Sequence, residues 1–318
     1  MKKKVLSVML VIAMTSTLLT ACGNTNTSST PQSFDNSPIT SSSPSYQESS
    51  YTQTSTSVSK ADLSSQVSKN TLTTSKEKYF ETLNIINNAT LQYPTANDEF
   101  EYNVYDTYVQ ITKYIGDDID IVFPSKIDNL PVLVVGDYYN RMKVIEKYNV
   151  NISLMEENGE YVTKSDKFVS LTFSDGIEII GHSAFEASLT GGSYAVTKIK
   201  FPNSLIAVGE RAFTHLDSLT SLTFPEGIYD IGEYSFSASF HFDEMTLPKS
   251  LGILRNYAFG GYMSKVTILN PDTQIGINSL PNPNSQTNKL EIYGYAGSTA
   301  AKYAAEHNDL YLFKVINN

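Results

Sequence analysis

Leu219-Thr220-Ser221-Leu222-Thr223-Phe224-Pro225 alternates apolar and polar side chains and then meets a proline, and the chain makes the alternation four times and closes it with proline in three. Phe173, Phe201, Phe224 and Leu247 hold the leading position, at intervals of 28, 23 and 23 residues. Two residues earlier stand Leu171, Ile199, Leu222 and Met245, and four residues later Ile177, Leu205, Ile228 and Leu251. Twelve residues on come Phe185, Phe213, Phe236 and Phe259, each preceded by a small residue, Ala184, Ala212, Ser235 or Ala258. A glycine column, Gly181, Gly209 and Gly232, fails only at Arg255. So many columns in one register define a repeat protein.

Each unit has a physical reading. Leu222 and Phe224 inward, with Ser221 and Thr223 outward, is the period of a strand buried on one face. Pro202, Pro225 and Pro248 follow the leading residue and lack the N–H that a ladder needs, so the strand stops and the chain turns. A return arm, such as residues 227–232, then recrosses the unit, and the small residue marks where neighbours approach closely. One unit cannot bury both faces, so units must stack. The first interval is longer because ten residues, 186–195, join Phe185 to Val196, whereas five, 214–218, join Phe213 to Leu219. The periods lie in the leucine-rich-repeat range.

On these columns the array resembles the BspA-like leucine-rich repeat of bacterial surface proteins. Ile121-Val122-Phe123-Pro124, Leu130-Pro131-Val132 and Val135-Gly136 are similar to the longer unit that opens such arrays, and residues 292–300 to the segment that closes them. Ser174 in place of Pro and Arg255 in place of Gly depart from the pattern, as does an irregular insertion at 141–167 with Tyr148, Glu156 and Glu157. The implied fold is an α/β, strand-dominated leucine-rich-repeat solenoid with an N-terminal cap of helix plus strands and a C-terminal helical cap. The implied role is surface adhesion or host-matrix contact.

The amino terminus reads as an export signal, residues 1–21. Lys2, Lys3 and Lys4 precede an apolar stretch at 5–19 that is shorter than the roughly 20 residues of a membrane span. Leu19-Thr20-Ala21-Cys22 resembles the bacterial lipoprotein box, which implies a lipid on Cys22 and attachment to the outer face of the cell membrane. Cys22 is the only cysteine, so no disulfide within the chain supports the exported domain. Residues 22–75 read as a disordered tether, since 27 of the 53 residues after Cys22 are Ser or Thr and cannot build a core. Residues 76–140 read as a helix, cap strands and a first degenerate repeat. The helix, 76–89, has Ser75 as N-cap, an apolar face of Tyr79, Phe80, Leu83 and Ile86, and the first strand as the element to be covered. Residues 101–106 and 109–112 alternate as two cap strands. The array proper is 168–281 and the C-terminal cap 282–318, where Ser298 caps a helix at 299–307 and Leu312 and Phe313 close the last unit.

Composition bounds partners and chemistry. The formal charge of −10 becomes −13 without Lys2, Lys3 and Lys4, which argues against nucleic acid. There is no Gly-rich phosphate loop, no metal-ligand spacing of Cys or His, and nothing that implies a cofactor. His182, His215, His241 and His307 fall at variable positions and read as surface or loop residues rather than bases. Asp117-Asp118-Ile119-Asp120 lacks the spaced ligands of a calcium loop and reads as a solvated turn. Glu156-Glu157 and Asp243-Glu244 are carboxylate pairs, but an acidic surface explains them without glycoside hydrolysis. The chain therefore reads as a binding protein, with no catalytic residue.

Stacked units place the outward strand side chains in one strip: Ser170 and Thr172, Lys198 and Lys200, Ser221 and Thr223, Glu244 and Thr246. The expectation is that this strip contacts a protein ligand, with the 186–195 loop at its margin. A glycan or cell-wall ligand is the alternative, and the absence of Trp among 21 tyrosines counts against it. An unrecognised extracellular hydrolase is the remaining reading. Tyr229, Tyr234 and Tyr257 lie in the return arms, away from that strip, and are expected to pack or to be scattered.

Overall fold

The computed structural model describes residues 60–145, 154–157, 160–163, 168–186, 195–237, 243–284 and 288–317. The export segment, Cys22, most of the expected tether, most of the 186–195 loop and His241 lie outside these residues.

The two phenylalanine columns become two rows of rings through the core. Phe123, Phe173, Phe201 and Phe224 follow one another with centroids 4.8, 6.3 and 5.8 Å apart. Phe185, Phe213, Phe236 and Phe259 do so at 5.3, 5.3 and 5.4 Å. Within a unit the two rings meet edge to face, as Phe173–Phe185 at 5.5 Å and 81° and Phe224–Phe236 at 5.5 Å and 82°. The twelve-residue spacing is therefore the path from one side of the unit to the other. Stacked and edge-on contacts are the geometries the ring quadrupole favours.

The return arms form one continuous sheet. Leu130–Val135, Ile179–Ile180, Ala207–Val208, Asp230–Ile231, Ile253–Leu254 and Gln274–Ile275 pair in parallel, in that order. Ahead of them Leu91–Ala96, Phe100–Tyr105 and Val109–Tyr114 add an antiparallel edge, the N-terminal strands of the cap. The glycine column explains the close stacking. A Cβ on Gly209 would lie 2.7 Å from the Gly181 carbonyl carbon, and one on Gly232 2.5 Å from that of Gly209. Their amides donate to the unit before, Gly209 to Ile180 and Gly232 to Val208, both at 2.8 Å. The proline carbonyls close the preceding turns by accepting from Leu205, Ile228 and Leu251, and Ser174 does the same for Ile177 at 3.3 Å, so that departure leaves the turn intact.

The opening strands do not form one sheet. Asp120–Phe123, Phe168–Phe173 and Ala195–Lys200 pair in parallel, and separately so do Glu244–Leu247, Lys265–Ile268, Leu290–Gly294 and Tyr311–Val315. Between them lies the unit whose sequence looks most regular, and residues 219–224 join no ladder among the described residues. Their burial still alternates: Phe224 is buried, Leu222 half-buried, Ser221 and Thr223 exposed. A turn from Leu219 N–H to the Leu216 carbonyl fixes the start of the segment, with both leucines buried. Apolar alternation encodes which side chains go inward. It does not encode that both neighbours stand at about 4.8 Å, which a ladder also requires.

The N-terminal helix differs from expectation in length and in what it covers. α1 is Lys60–Asn88, so Ser75 lies inside the helix and is not its N-cap, and residues 60–75 are helical rather than tether. Ser and Thr cost a helix only some tenths of a kcal/mol each, and a packed C-terminal half supplies the nucleus from which helix propagates. Tyr79, Leu83 and Ile86 pack on Leu133, Val134, Ile179, Ile206, Ala207 and Tyr229, which belong to four successive arm units. The helix thus straps the arm sheet instead of covering the first strand, and Phe80, expected on the apolar face, is exposed. Thr82 donates to the Glu178 carboxylate, which Lys78 also pairs at 2.9 Å.

The 141–167 insertion contains an antiparallel hairpin, Leu154–Glu157 with Glu160–Thr163. At the far end α2, Thr299–Glu306, is capped by Ser298, whose side chain accepts from the Ala301 amide at 3.2 Å. Ala300, Tyr303 and Ala304 face inward. Leu312 does not cover the last unit. Tyr311–Val315 adds a further parallel strand to Leu290–Gly294, which turns Leu312 outward and leaves Phe313 half-buried against the core.

Candidate functional site

The outward positions of the strand face fall into two groups with different electrostatics. In the first, Ser170 lies opposite Asp120 on one side and Lys198 on the other, and Lys200 lies opposite Thr172. Ser170 Oγ donates to Asp120 at 2.6 Å, so Asp120 is a strand residue and not part of a turn. Lys198 and Lys200 are exposed, and neither forms a salt bridge among the described residues. Ser221 and Thr223 lie next to them on the segment without a ladder.

The second group neutralises itself. Glu244 is not left open to ligand; Lys265 from the next strand takes it at 2.8 Å, in register. That contact raises the Lys265 ammonium pKa, chiefly through the hydrogen bond to Glu244. The same ammonium lies 5.3 Å from the Tyr293 ring centre, Tyr293 donates to Glu291 at 2.9 Å, and Lys314 stands 3.5 Å from Glu291. Thr246 is exposed opposite Thr267. The strip of eight expected residues is therefore not one surface: Ser170, Thr172, Lys198 and Lys200 lie on paired strands, Ser221 and Thr223 on the segment without a ladder, and Glu244, with Thr246 on the same strand, belongs to a chain of paired charges.

A second constellation lies on the arm side, and the sequence reading missed it. Asp230 is fully buried in an arm position that is apolar in its neighbours Ile179, Ala207 and Ile253. Arg255, the residue that breaks the glycine column, reaches back across one unit and donates from Nε at 2.9 Å and from Nη2 at 2.6 Å. That fork holds the Arg255 pKa above its usual value, mainly through the hydrogen bonds to Asp230 and against the effect of burial. Tyr79 of α1 donates to Asp230 at 2.8 Å and lies 2.9 Å from the Tyr138 hydroxyl, so its one proton is committed and Tyr138 donates to Tyr79. Burial raises both phenol pKa values, which keeps both protonated. The signal was present as departures from two columns two residues apart, an acid at 230 and an arginine at 255, whose charges meet.

The histidines behave differently from one another. His182 is half-buried beside Tyr138, with Nδ1 3.9 Å from Glu210, and its pKa is lowered, chiefly by burial, although Glu210 and Asp137 act to raise it. His307 ends α2 with its ring 4.7 Å from that of Tyr303, and His215 sits in a left-handed turn at φ 64°. Tyr229 packs under α1, 5.2 Å from Tyr79, and Tyr234 and Tyr257 stack on each other at 4.9 Å. No group of His, Cys, Asp or Glu suited to a metal ion occurs among the described residues, nor any helix long and apolar enough to cross a membrane.

Residues 191–293 match the family described as BspA type leucine rich repeat region, in six copies. Among solved structures, a leucine rich repeat protein of T. pallidum is 18% identical, with 70% of this chain and 98% of that one covered and a TM-score of 0.38. A leucine-rich repeat protein from Bacteroides capillosus is 18% identical over 50% of this chain and 86% of that one, with a TM-score of 0.30. The pneumococcal vaccine antigen PcpA is 14% identical over 70% of this chain and 48% of the antigen, with a TM-score of 0.41. No curated protein matches the chain.

Proposed function

Because the chain carries a BspA-type leucine-rich-repeat array, we propose that it is a lipid-anchored bacterial surface protein that binds a protein ligand on its strand face, in adhesion or partner contact. Lipid on Cys22 attaches it to the outer face of the membrane, and residues 23–59 hold the array away from it. The contact patch is Ser170, Thr172, Lys198, Lys200, Ser221 and Thr223, with Glu244 and Thr246 at its far margin. The observation that carries this is the contrast in charge pairing. Lys198 and Lys200 stand exposed without a salt bridge among the described residues, in a domain of net negative charge, whereas Glu244, Lys265, Glu291 and Lys314 on the later strands pair with one another. Cations left open on a surface supply specificity and association rate toward an acidic partner.

Two measurements test the reading. Wild-type protein expressed with labelled fatty acid should carry label, and Cys22→Ala should lose it and leave the membrane fraction; unlabelled wild type removes the anchor. Binding to an array of purified matrix proteins and glycans should yield a protein ligand whose affinity drops at least tenfold with Lys198→Glu plus Lys200→Glu. The thermal midpoint should hardly move, because both side chains are exposed. Unchanged affinity moves the contact away from this patch, and a glycan ligand in place of a protein supports the alternative surface role.

A further inference from the structure

A cleft of about 320 Å³ opens on the arm side of the array, away from the strand face, between α1, Tyr138-Tyr139 and the arms that carry Glu210, Glu233 and Arg255. This lies at the small end of the range of small-molecule sites. Its floor includes Gly209 and Gly232, where the repeat excludes side chains because a Cβ would strike the backbone of the unit before. Bare backbone at that point is what leaves room.

The walls mix aromatic, donor and acceptor groups. Tyr139 is 54% exposed and meets Tyr138 edge to face at 5.7 Å, and Asp137 holds the turn by accepting from the Tyr139 and Asn140 amides. Tyr138, which also lines the cleft, spends its proton on Tyr79, so its oxygen is left to accept. Glu233 is half-buried and forms no salt bridge among the described residues. Arg255 uses Nε and Nη2 on Asp230, which leaves Nη1 to donate. His182 is on the same wall.

The charges offset. Asp137 and Glu210 act on His182 in one sense, Arg141 and Arg255 in the other. Arg141 also pairs Glu210 directly, and Arg211 lies 3.5 Å from that carboxylate. Arg141 offsets Glu210 and Arg255 offsets Asp230, which leaves Glu233 as the lining carboxylate without a salt bridge among the described residues, so the net field is small and disfavours an anion. A ring to stack on, acceptors and donors side by side, and little net field suit a compact ligand with an apolar face and many hydroxyls. We propose that this cleft binds one unit of a neutral saccharide, with Tyr139 under the sugar face and Glu233, Arg255 and His182 on its hydroxyls. The site is independent of the protein-binding strand face.

The test uses the full chain and ligand-observed NMR titration with glucose, galactose, mannose and N-acetylglucosamine, with ethylammonium and acetate as charged probes. At least one sugar should bind saturably in the millimolar range, and neither charged probe should compete with it. Glu233→Ala should weaken that sugar about tenfold, the size expected for a hydrogen bond to a charged group, and Tyr139→Ala about threefold to tenfold, the size of an aromatic face contact, neither lowering the thermal midpoint. Lys198→Glu plus Lys200→Glu should leave sugar binding unchanged, which separates this site from the strand face. No saturable binding of any of the four sugars, binding indifferent to both cleft variants, or preference for a charged probe overturns the proposal.

Discussion

The two sides of the repeat unit are built from the same columns and come out differently. On the arm side, pairs of residues from six units join in one parallel sheet, with amide bonds of 2.8–3.0 Å from Gly181, Gly209, Gly232, Arg255 and Gly276 to the unit before. On the strand side, the ladder divides into a three-stranded and a four-stranded sheet around residues 219–224. The arms are short, floored by glycine and strapped by α1, so their geometry has few alternatives. The opening strands vary from four to six residues and follow connections of unequal length, so their register has more freedom. Continuity thus belongs to the arm side, and exposed chemistry that varies from unit to unit belongs to the strand side.

The largest test of this contrast is a matched pair of substitutions to valine. Gly232→Val places a Cβ 2.5 Å from the backbone carbon of Gly209 and adds two methyl groups beyond it, so the arm sheet must open there. Loss of a cooperative thermal transition, or insoluble protein, is expected. Ser221→Val, one strand side away and exposed, should change stability by about 0.5 kcal/mol or less. Equal effects would remove the distinction between the two sides.

Next in size is the buried charge. Arg255→Ala leaves the Asp230 carboxylate buried with Tyr79 as its remaining side-chain donor, and breaking such a pair costs about 3 kcal/mol. The partial exposure of Arg255 argues for a value toward the low end of what such pairs show. Asp230→Leu together with Arg255→Met should recover most of the loss, since a packed apolar pair replaces a buried ion pair at little cost. Denaturant titration of the three proteins decides it, and a double variant as unstable as the single one would make the pair more than a local replacement for apolar packing.

The smallest effect is at His182, where burial lowers the pKa of the folded state below the ordinary 6.5. The unfolded chain takes up the proton first as pH falls, so the contribution of His182 is present above pH 6.5 and is lost as pH falls through the folded-state value. Glu210 and Asp137 oppose the shift, Arg255 and Arg141 reinforce it, and burial is the largest single cause. His182→Gln should therefore lose less of its thermal midpoint than wild type between pH 8 and pH 5. A parallel or steeper loss contradicts this assignment.

Much of the architecture was legible because it is written in side-chain volume at fixed spacing. Phe213 twelve residues after Phe201 predicts a ring on each side of one unit, and the rings meet at 5.7 Å. Ser298 before an alanine-rich run predicts the cap that α2 uses. What was not legible depends on partners distant in sequence. Nothing local to Ser75 says that helix continues through it, because the packing that nucleates α1 comes from Tyr229 and Ile206, more than a hundred residues on. Glu244 looked open to solvent or ligand on the outward strip until Lys265 arrived from a strand with a weaker repeat signature. The division of the strand side at Leu219 was invisible for the reason that Leu222 and Phe224 satisfy their burial with or without a ladder.

Amide hydrogen exchange of the native protein, resolved by residue, tests that division most directly. Exchange at Gly209, Gly232 and Gly276 should be slow enough to report the global unfolding free energy, since each amide is bonded to the preceding unit at 2.8 Å. Thr220, Ser221, Leu222, Thr223 and Phe224 donate to no described backbone group and should exchange at least about a hundredfold faster. Protection of those five amides equal to that of the glycines would mean that the opening strands form one unbroken ladder, and would contradict the two-sided account.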